Sequence, residues 1–287
     1  TIRNAGSYYG VQVDISGGNT IIDNVISNNV YGIDLSETTS GNTVVGNTIL
    51  DNAMIGINVA YSSSNNISNN YISQSTYGIK LDGTSQYNSI AKNTISENSY
   101  GIYVTYSPNN NIEQNTVSSK IAGIYALYSD YTKILNNTVS GCAYGIQPYQ
   151  SNRGTISGNT VSDNGYGIYL VYSGTNTLDS NLASNNDWGI GFYDSDSNTV
   201  TQNTASYSRT CGFYVVVSST GNVIAWNNIM NNTMQKYQDT TSGTNTWYKA
   251  ISGNRYGNYW SNYIGEDTNG DGVGDTQIPH AGVDSYP

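Results

Sequence analysis

Charge is the first thing this chain is short of. Only 10% of its 287 residues are Asp, Glu, Lys or Arg, and 20 acids outnumber 10 bases, for a net charge of −10. A surface of that sign repels phosphate backbones and offers an anionic membrane no basic patch, so no nucleic-acid partner is expected. Histidine occurs once, at His280, and the methionines Met54, Met230 and Met234 are scattered, which argues against a copper or zinc site. Phe (2) and Pro (4) are scarce. No run of 18 apolar residues is present, so no membrane-spanning helix is expected. No window combines a helical period with good helix formers. The chain opens on Thr1 without a signal peptide, and it reads as a mature or excised piece of an exported protein. Asn66, Asn136 and Asn231 head sequons that a secretory route could glycosylate, although so Asn-rich a chain contains some by chance.

What is there in excess is tyrosine (27) and glycine (31). They recur together. "NTISENSYGIYV" at 93–104 returns as "NTVSDNGYGIYL" at 159–170, and the Gly of this unit stands at Gly10, Gly32, Gly56, Gly78, Gly101, Gly123, Gly145, Gly167, Gly189 and Gly212. An aromatic precedes it in seven of the ten copies. Aliphatics follow at one and three residues, as in Ile102 and Val104, the period of a strand with one buried face. Two more aliphatic rows run through Ile112 and Val117 and their equivalents. One such copy cannot close a core, but stacked copies bury a continuous one. The expected fold is all-β: a parallel β-helix of about ten 22-residue coils over residues 1–230, with neighbouring coils about 4.8 Å apart. Residues 231–287 break the pattern and carry Trp247 and Trp260, so they are expected to cap the last coil.

An Asn fills one position in all ten copies, from Asn24 to Asn227. Side-chain amides both donate and accept, and stacked one per coil they are expected to form a structural ladder. The Gly is read as permitting an unusual backbone at a corner. Cys142 and Cys211 lie three coils apart, too far for a disulfide, and are read as small buried residues.

Two features carry chemistry. In "DTNGDGVGD", Asp267, Asn269, Asp271, the Val273 carbonyl and Asp275 fall at positions 1, 3, 5, 7 and 9 of a Gly-turned loop, a pattern of oxygen ligands suited to Ca²⁺. Position 12 is Ile278 instead of Glu, so a last ligand must come from elsewhere, with Asp284 and Glu266 as guesses. A bound ion would rigidify the cap. Two tyrosine rows, Tyr103, Tyr125, Tyr169 and Tyr214 two after Gly, and Tyr61, Tyr106, Tyr128 and Tyr172 five after it, form a strip over the middle coils. Tyr103, Tyr106, Tyr125, Tyr128, Tyr169 and Tyr172 are the candidate sugar-binding residues, since aromatic faces stack on sugar rings. The alternative is that Tyr simply suits exposed strand positions. Catalysis by carboxylates would need a pair about 5 to 9.5 Å apart. Asp194 with Asp196, and Asp163 with Asp187, are loose pairs only, and no catalytic residue is assigned.

The 22-residue repeat, with N-x-[IV] and Y-G-I, and the ending "GNYWSNYIGEDTNGDGVGDTQIP…VDSYP", resemble the NosD-type β-helix repeat proteins. These belong to the broad carbohydrate-binding and sugar-hydrolase (CASH) group, and many sit on the surfaces of methanogenic archaea. The resemblance implies a right-handed parallel β-helix and an exported protein, and Asp267, Asn269, Asp271 and Asp275 match the group's acidic Gly loop. NosD itself is linked to copper delivery to nitrous oxide reductase; the ligands for that role are not found here. The leading expectation is a non-catalytic extracellular or cell-surface module, structural or adhesive, that binds a glycan through the tyrosine strip. The alternatives are a polysaccharide hydrolase or lyase on the same face, and a filament or sheath subunit that self-associates through an uncapped first coil.

Overall fold

The computed structural model describes residues 2–3, 8–252 and 254–287, and among them there is no helix. Each coil holds one long and two short strands. In the second coil these are Tyr31–Ser36, Thr43–Val45 and Thr48–Leu50. Every strand pairs in parallel with its counterpart one coil on, so Ile33 lies opposite Ile57, Val44 opposite Ile67 and Ile49 opposite Ile72. The first short strands form a 10-stranded sheet. The long and second short strands merge into a 21-stranded one, because Thr94–Thr105 and Thr116–Leu127 run unbroken round a corner that is a turn elsewhere. The parallel β-solenoid read from the repeat is therefore the fold. What precedes the first coil lies largely outside the described residues.

The four aliphatic rows fill the interior. Ile102, Val104, Ile112 and Val117 are 0 to 1% exposed, and their equivalents are buried in every coil but the first, where Val11 and Val13 are only partly covered. The corner glycines owe their place to crowding, contrary to the backbone reading given above. None of the ten has a left-handed φ. A methyl on Gly145 would instead sit 2.6 Å from both the Gly167 carbonyl oxygen and a Val161 methyl group. Coils 4.8 Å apart leave no room for a Cβ there.

The asparagine ladder is structural and buried. Asn70 donates through its backbone N–H and its Nδ2, both at 3.0 Å, to Oδ1 of Asn93, and Nδ2 also reaches the Val44 carbonyl at 3.0 Å. Three further ladders escaped sequence reading. Asn42, Asn65 and Asn88 form one, Ser107, Ser129 and Ser151 another, and Asn164 with Asn186 belongs to a corner row. They satisfy the turn amides that a solenoid would otherwise bury unpaired.

Pairing with the solenoid does not stop at residue 230. Met234–Gln238 pairs with Cys211–Val216, Thr246 bridges Val223, and Tyr259–Trp260 pairs with Asn228 and Ile229. The segment after 230 thus opens with an eleventh coil, interrupted by an antiparallel hairpin of Lys249–Ile251 and Asn254–Tyr256. Trp260 takes the place of Ile229 in its row, while Trp247 follows Thr246 as Ile224 follows Val223. Both rings are buried over the core's open end. The main ladder runs on into Asn258, whose N and Nδ2 donate to Asp284 Oδ2 at 2.8 and 3.2 Å. A carboxylate accepts without needing a further donor, so Asp284 terminates the ladder.

Candidate functional site

The outer face of the long strands carries the tyrosine strip. Tyr103 and Tyr125 are half-buried and stack on each other at 5.3 Å. Tyr106 and Tyr128, more exposed, stack at 4.8 Å. Tyr169 packs on Tyr166 at 4.6 Å and lies apart from Tyr125, because Gln147 stands between them in the row. Two tyrosines missed by sequence reading join the halves. Tyr149 lies 6.5 Å from Tyr125 and 5.5 Å from Tyr172, and Tyr193 lies 5.6 Å from Tyr172. They stand four after Gly, a row whose other members differ, so no periodic signal marks them.

The geometry changes what the strip offers. In-register rings spend their faces on one another, so stacked pairs present edges and hydroxyls outward. Tyr172 is turned, at 76° to Tyr149 and 85° to Tyr193, so it breaks the stacking. Burial pushes the Tyr125 hydroxyl up to about 12, with Tyr103 and Tyr149 adding to it, and raises Tyr103 and Tyr169 too. These phenols remain proton donors at neutral pH.

The second row is not strand at all. Tyr61, Tyr106, Tyr128 and Tyr172 have φ of 53°, 46°, 48° and 51°, left-handed turn positions after the long strand. The fourth coil puts Gly83 at this corner, and other coils put Ile15, Glu37, Gln150, Asp194 and Val217 there in the same left-handed conformation. A bulky side chain there works against backbone preference, so β-propensity does not explain this row.

Of the loose acid pairs, Asp187 is ion-paired with Arg209 at 2.5 Å, and Asp196 accepts from Thr220 N at 2.6 Å. An acid that sequence reading passed over stands out instead. Asp34 occupies the strip's own row and is only 3% exposed. It accepts from Asn58 Nδ2 at 2.7 Å and shares the Ser36 hydroxyl, 2.8 Å away, with Asp14 at 2.7 Å from it. Burial raises its pKa, against the lowering bonds from Asn58 and Ser36, and Asp14 and Asp82 raise it further.

In the acidic loop, oxygens at positions 1, 3, 5 and 9 all turn onto loop amides. Asp267 accepts from Gly270 N (2.7 Å) and Gly272 N (2.8 Å), Asn269 from Asp271 N (2.9 Å), Asp271 from Val273 N (2.9 Å) and Asp275 from Thr268 N (2.8 Å). Among the described residues no three acid, His or Cys groups gather as a metal site. Asp284 is unsuited as a last ligand, since it is buried and accepts from Trp260 Nε1, Asn258 and Tyr286 N. Glu266 gives its backbone carbonyl to Asp275 N at 2.8 Å. Asp267 does border a cleft of about 450 Å³ between the last coil and the tail, walled by Trp226, Tyr256 and Tyr259.

The family described as "Periplasmic copper-binding protein (NosD)" matches residues 1–118, 64–182 and 102–265. The donors present do not fit copper. Cys142 and Cys211 are free and buried, their thiols pushed up to about 11 and about 12 by that burial. His280 packs on Trp260 and Tyr263 in the tail, with Nε2 3.0 Å from Asn262 Oδ1. Copper sites gather such soft donors, and here they lie on separate parts of the chain.

No curated protein matches the chain. Among solved structures it is similar to the Dettilon tailspike protein (TM-score 0.59, 16% identity, 78% of this chain and 62% of that one). It is also similar to the periplasmic alginate epimerase AlgG (0.52, 15%, 82% and 75%) and to XylC in complex with xylose (0.50, 15%, 70% and 38%). The chain thus spans about three fifths of the tailspike, and at these identities the likeness is one of fold. No helix among the described residues is long and apolar enough to cross a membrane. With a match that runs from residue 1 to 265 and coils stacked as its repeat foretold, the chain belongs to the NosD family of β-helix proteins.

Proposed function

We propose that this protein is a non-catalytic glycan-binding module working outside the cytoplasm, with the tyrosine strip as its binding face. The observation that carries this reading is the run of ring contacts from Tyr103 through Tyr125, Tyr149 and Tyr172 to Tyr193. It sets a line of hydroxyls on apolar ground along the rod, the mixture of surfaces that a polysaccharide needs. The family's periplasmic description and the tailspike and alginate epimerase among the fold neighbours agree with a glycan role.

The test is retention on a panel of neutral, acidic and basic polysaccharides, scored together with the release of new chain ends. Tyr125→Ala and Tyr172→Ala should each weaken retention, and Tyr259→Ala, in the tail cleft, should not. Retention lost only with Tyr259→Ala would move the site to the cleft. New reducing or unsaturated ends would replace the binding reading with a hydrolase or lyase.

A further inference from the structure

The strip changes character at its N-terminal end. The row that holds Tyr103 and Tyr125 in the fifth and sixth coils holds Asp34, Asn58 and Lys80 in the second, third and fourth. The neighbouring row places Asp14, Ser36, Ala60 and Asp82 beside them. Ala60, opposite Asp82, and Ser36 are the small residues of this row. Tyr77 flanks the far side, its ring centroid 6.0 Å from the Lys80 ammonium.

Three features define what would suit this group. First, Asn58 is 7% exposed, its Nδ2 is bonded to Asp34, and its Oδ1 has no partner. A buried amide with an idle acceptor lacks a donor. Second, Ser36 has one hydroxyl hydrogen and stands within bonding distance of both Asp14 and Asp34. It can donate to only one of them, so the pair is short of a proton or of another cation. Third, the one base in the group, Lys80, is already ion-paired with Asp82. The end of the strip is thus a set of acceptors with a negative balance. A uronate carboxylate would meet like charge there, and an ammonium would find what Asn58, Asp14 and Asp34 lack.

We propose that this end of the strip is a subsite for an amino sugar, whose ammonium settles over Ala60 between Asp34 and Asp82, with Asp14 at its mouth. The proposal rests on the glycan-binding reading of the strip and adds the class of sugar. It sets this chain apart from the alginate epimerase that shares its fold, since alginate is a polymer of acidic sugars.

Calorimetry with matched oligosaccharides tests it: glucosamine hexamer, its N-acetylated counterpart, and an oligomannuronate. The wild type should bind the glucosamine hexamer about tenfold more tightly than the acetylated one, and the oligomannuronate most weakly. Asp14→Asn should cut that preference severalfold while leaving the acetylated hexamer unaffected. Asp163→Asn has the same net charge but lies on an exposed turn elsewhere, and it should leave the preference intact. Equal losses in the two variants would reduce the effect to general attraction and overturn the subsite. So would acetylated binding without any preference for the free amine, an outcome that leaves the strip itself standing. Binding of none of the three by the wild type would remove the strip reading and the subsite with it.

Discussion

In the coil that begins at Tyr144, the corner is Tyr-Gly-Ile, and the ladder position is an Asn that hands its bonds to the next coil. In the coil that begins at Met234, the corner glycine is gone and Lys236 stands opposite Phe213 in a core row. Yet the ladder persists through Asn258, and Trp247 and Trp260 fill the interior. The difference separates two requirements. Glycine is needed where another coil's carbonyl follows within reach of a Cβ. The ladder is needed wherever turn amides are buried, and the closing coil buries them too. Its polar inward residues suit an end: Trp247 Nε1 bonds Gln238 Oε1 at 3.0 Å, and Lys236 lies over the Trp247 ring at 5.6 Å.

The closing coil is therefore where the rod should break most easily. Trp260→Ala removes a buried ring and the donor at 2.9 Å to Asp284, and should cost about 3–5 kcal/mol in denaturant melts. Asn137→Ala, in mid-rod, leaves unpaired turn groups and should cost about 1–3 kcal/mol. A larger loss at mid-rod would reverse the comparison. The same coil carries the tail loop that we propose binds Ca²⁺ through Asp267, Asn269, Asp271, the Val273 carbonyl and Asp275. Calorimetry on chelator-stripped protein should show one site that Asp271→Ala abolishes, together with a raised Tm in Ca²⁺ for the intact loop alone. Absence of heat would leave the loop's own hydrogen bonds as its whole purpose.

How much of this was legible in the residues follows from range. The rows through Ile102, Val104, Ile112 and Val117 repeat at a fixed spacing, so the coil, its strands and the main Asn ladder could be read directly. The eleventh coil could not, because a hairpin of Lys249–Ile251 and Asn254–Tyr256 interrupts it and the Tyr-Gly signal is missing. Asp34 was passed over because it is a lone acid in its own stretch. Its burial and its partners come from Asp14 and Asn58, 20 and 24 residues away, which only the register brings beside it. The tyrosines at 106, 128 and 172 were found, but their left-handed backbone depends on where the strand ends.

Asp34 also supplies a smaller, pH-dependent test within the regular coils. Its pKa is raised by folding, so the stability it lends is full below the ordinary carboxylate range and is lost as pH rises through the raised value. Above that value the ionised form weakens the fold. In Asp34→Asn the amide can donate to Ser36, which frees the Ser36 hydrogen for Asp14, while Asn58 keeps its acceptor. The variant should melt about 2 °C or more above the parent at pH 7, and the gain should vanish toward pH 4. A gain that is the same at both pH values would mean that ionisation has no part in it.

The smallest stability effect is expected at Tyr128, and it carries the sharpest test of the strip. The residue has φ of 48°, and the fourth coil uses Gly83, at φ 61°, at the same corner. Tyr128→Gly relieves a left-handed tyrosine but loses the 4.8 Å stack on Tyr106 and frees the unfolded chain. These terms oppose one another, so stability should move by less than about 1 kcal/mol. If tyrosine is there for the fold, glycan retention should follow stability and hardly change. If it is there for a ligand, retention should fall severalfold in a protein that melts almost where the parent does. The second outcome is the one that the glycan-binding reading of the strip expects.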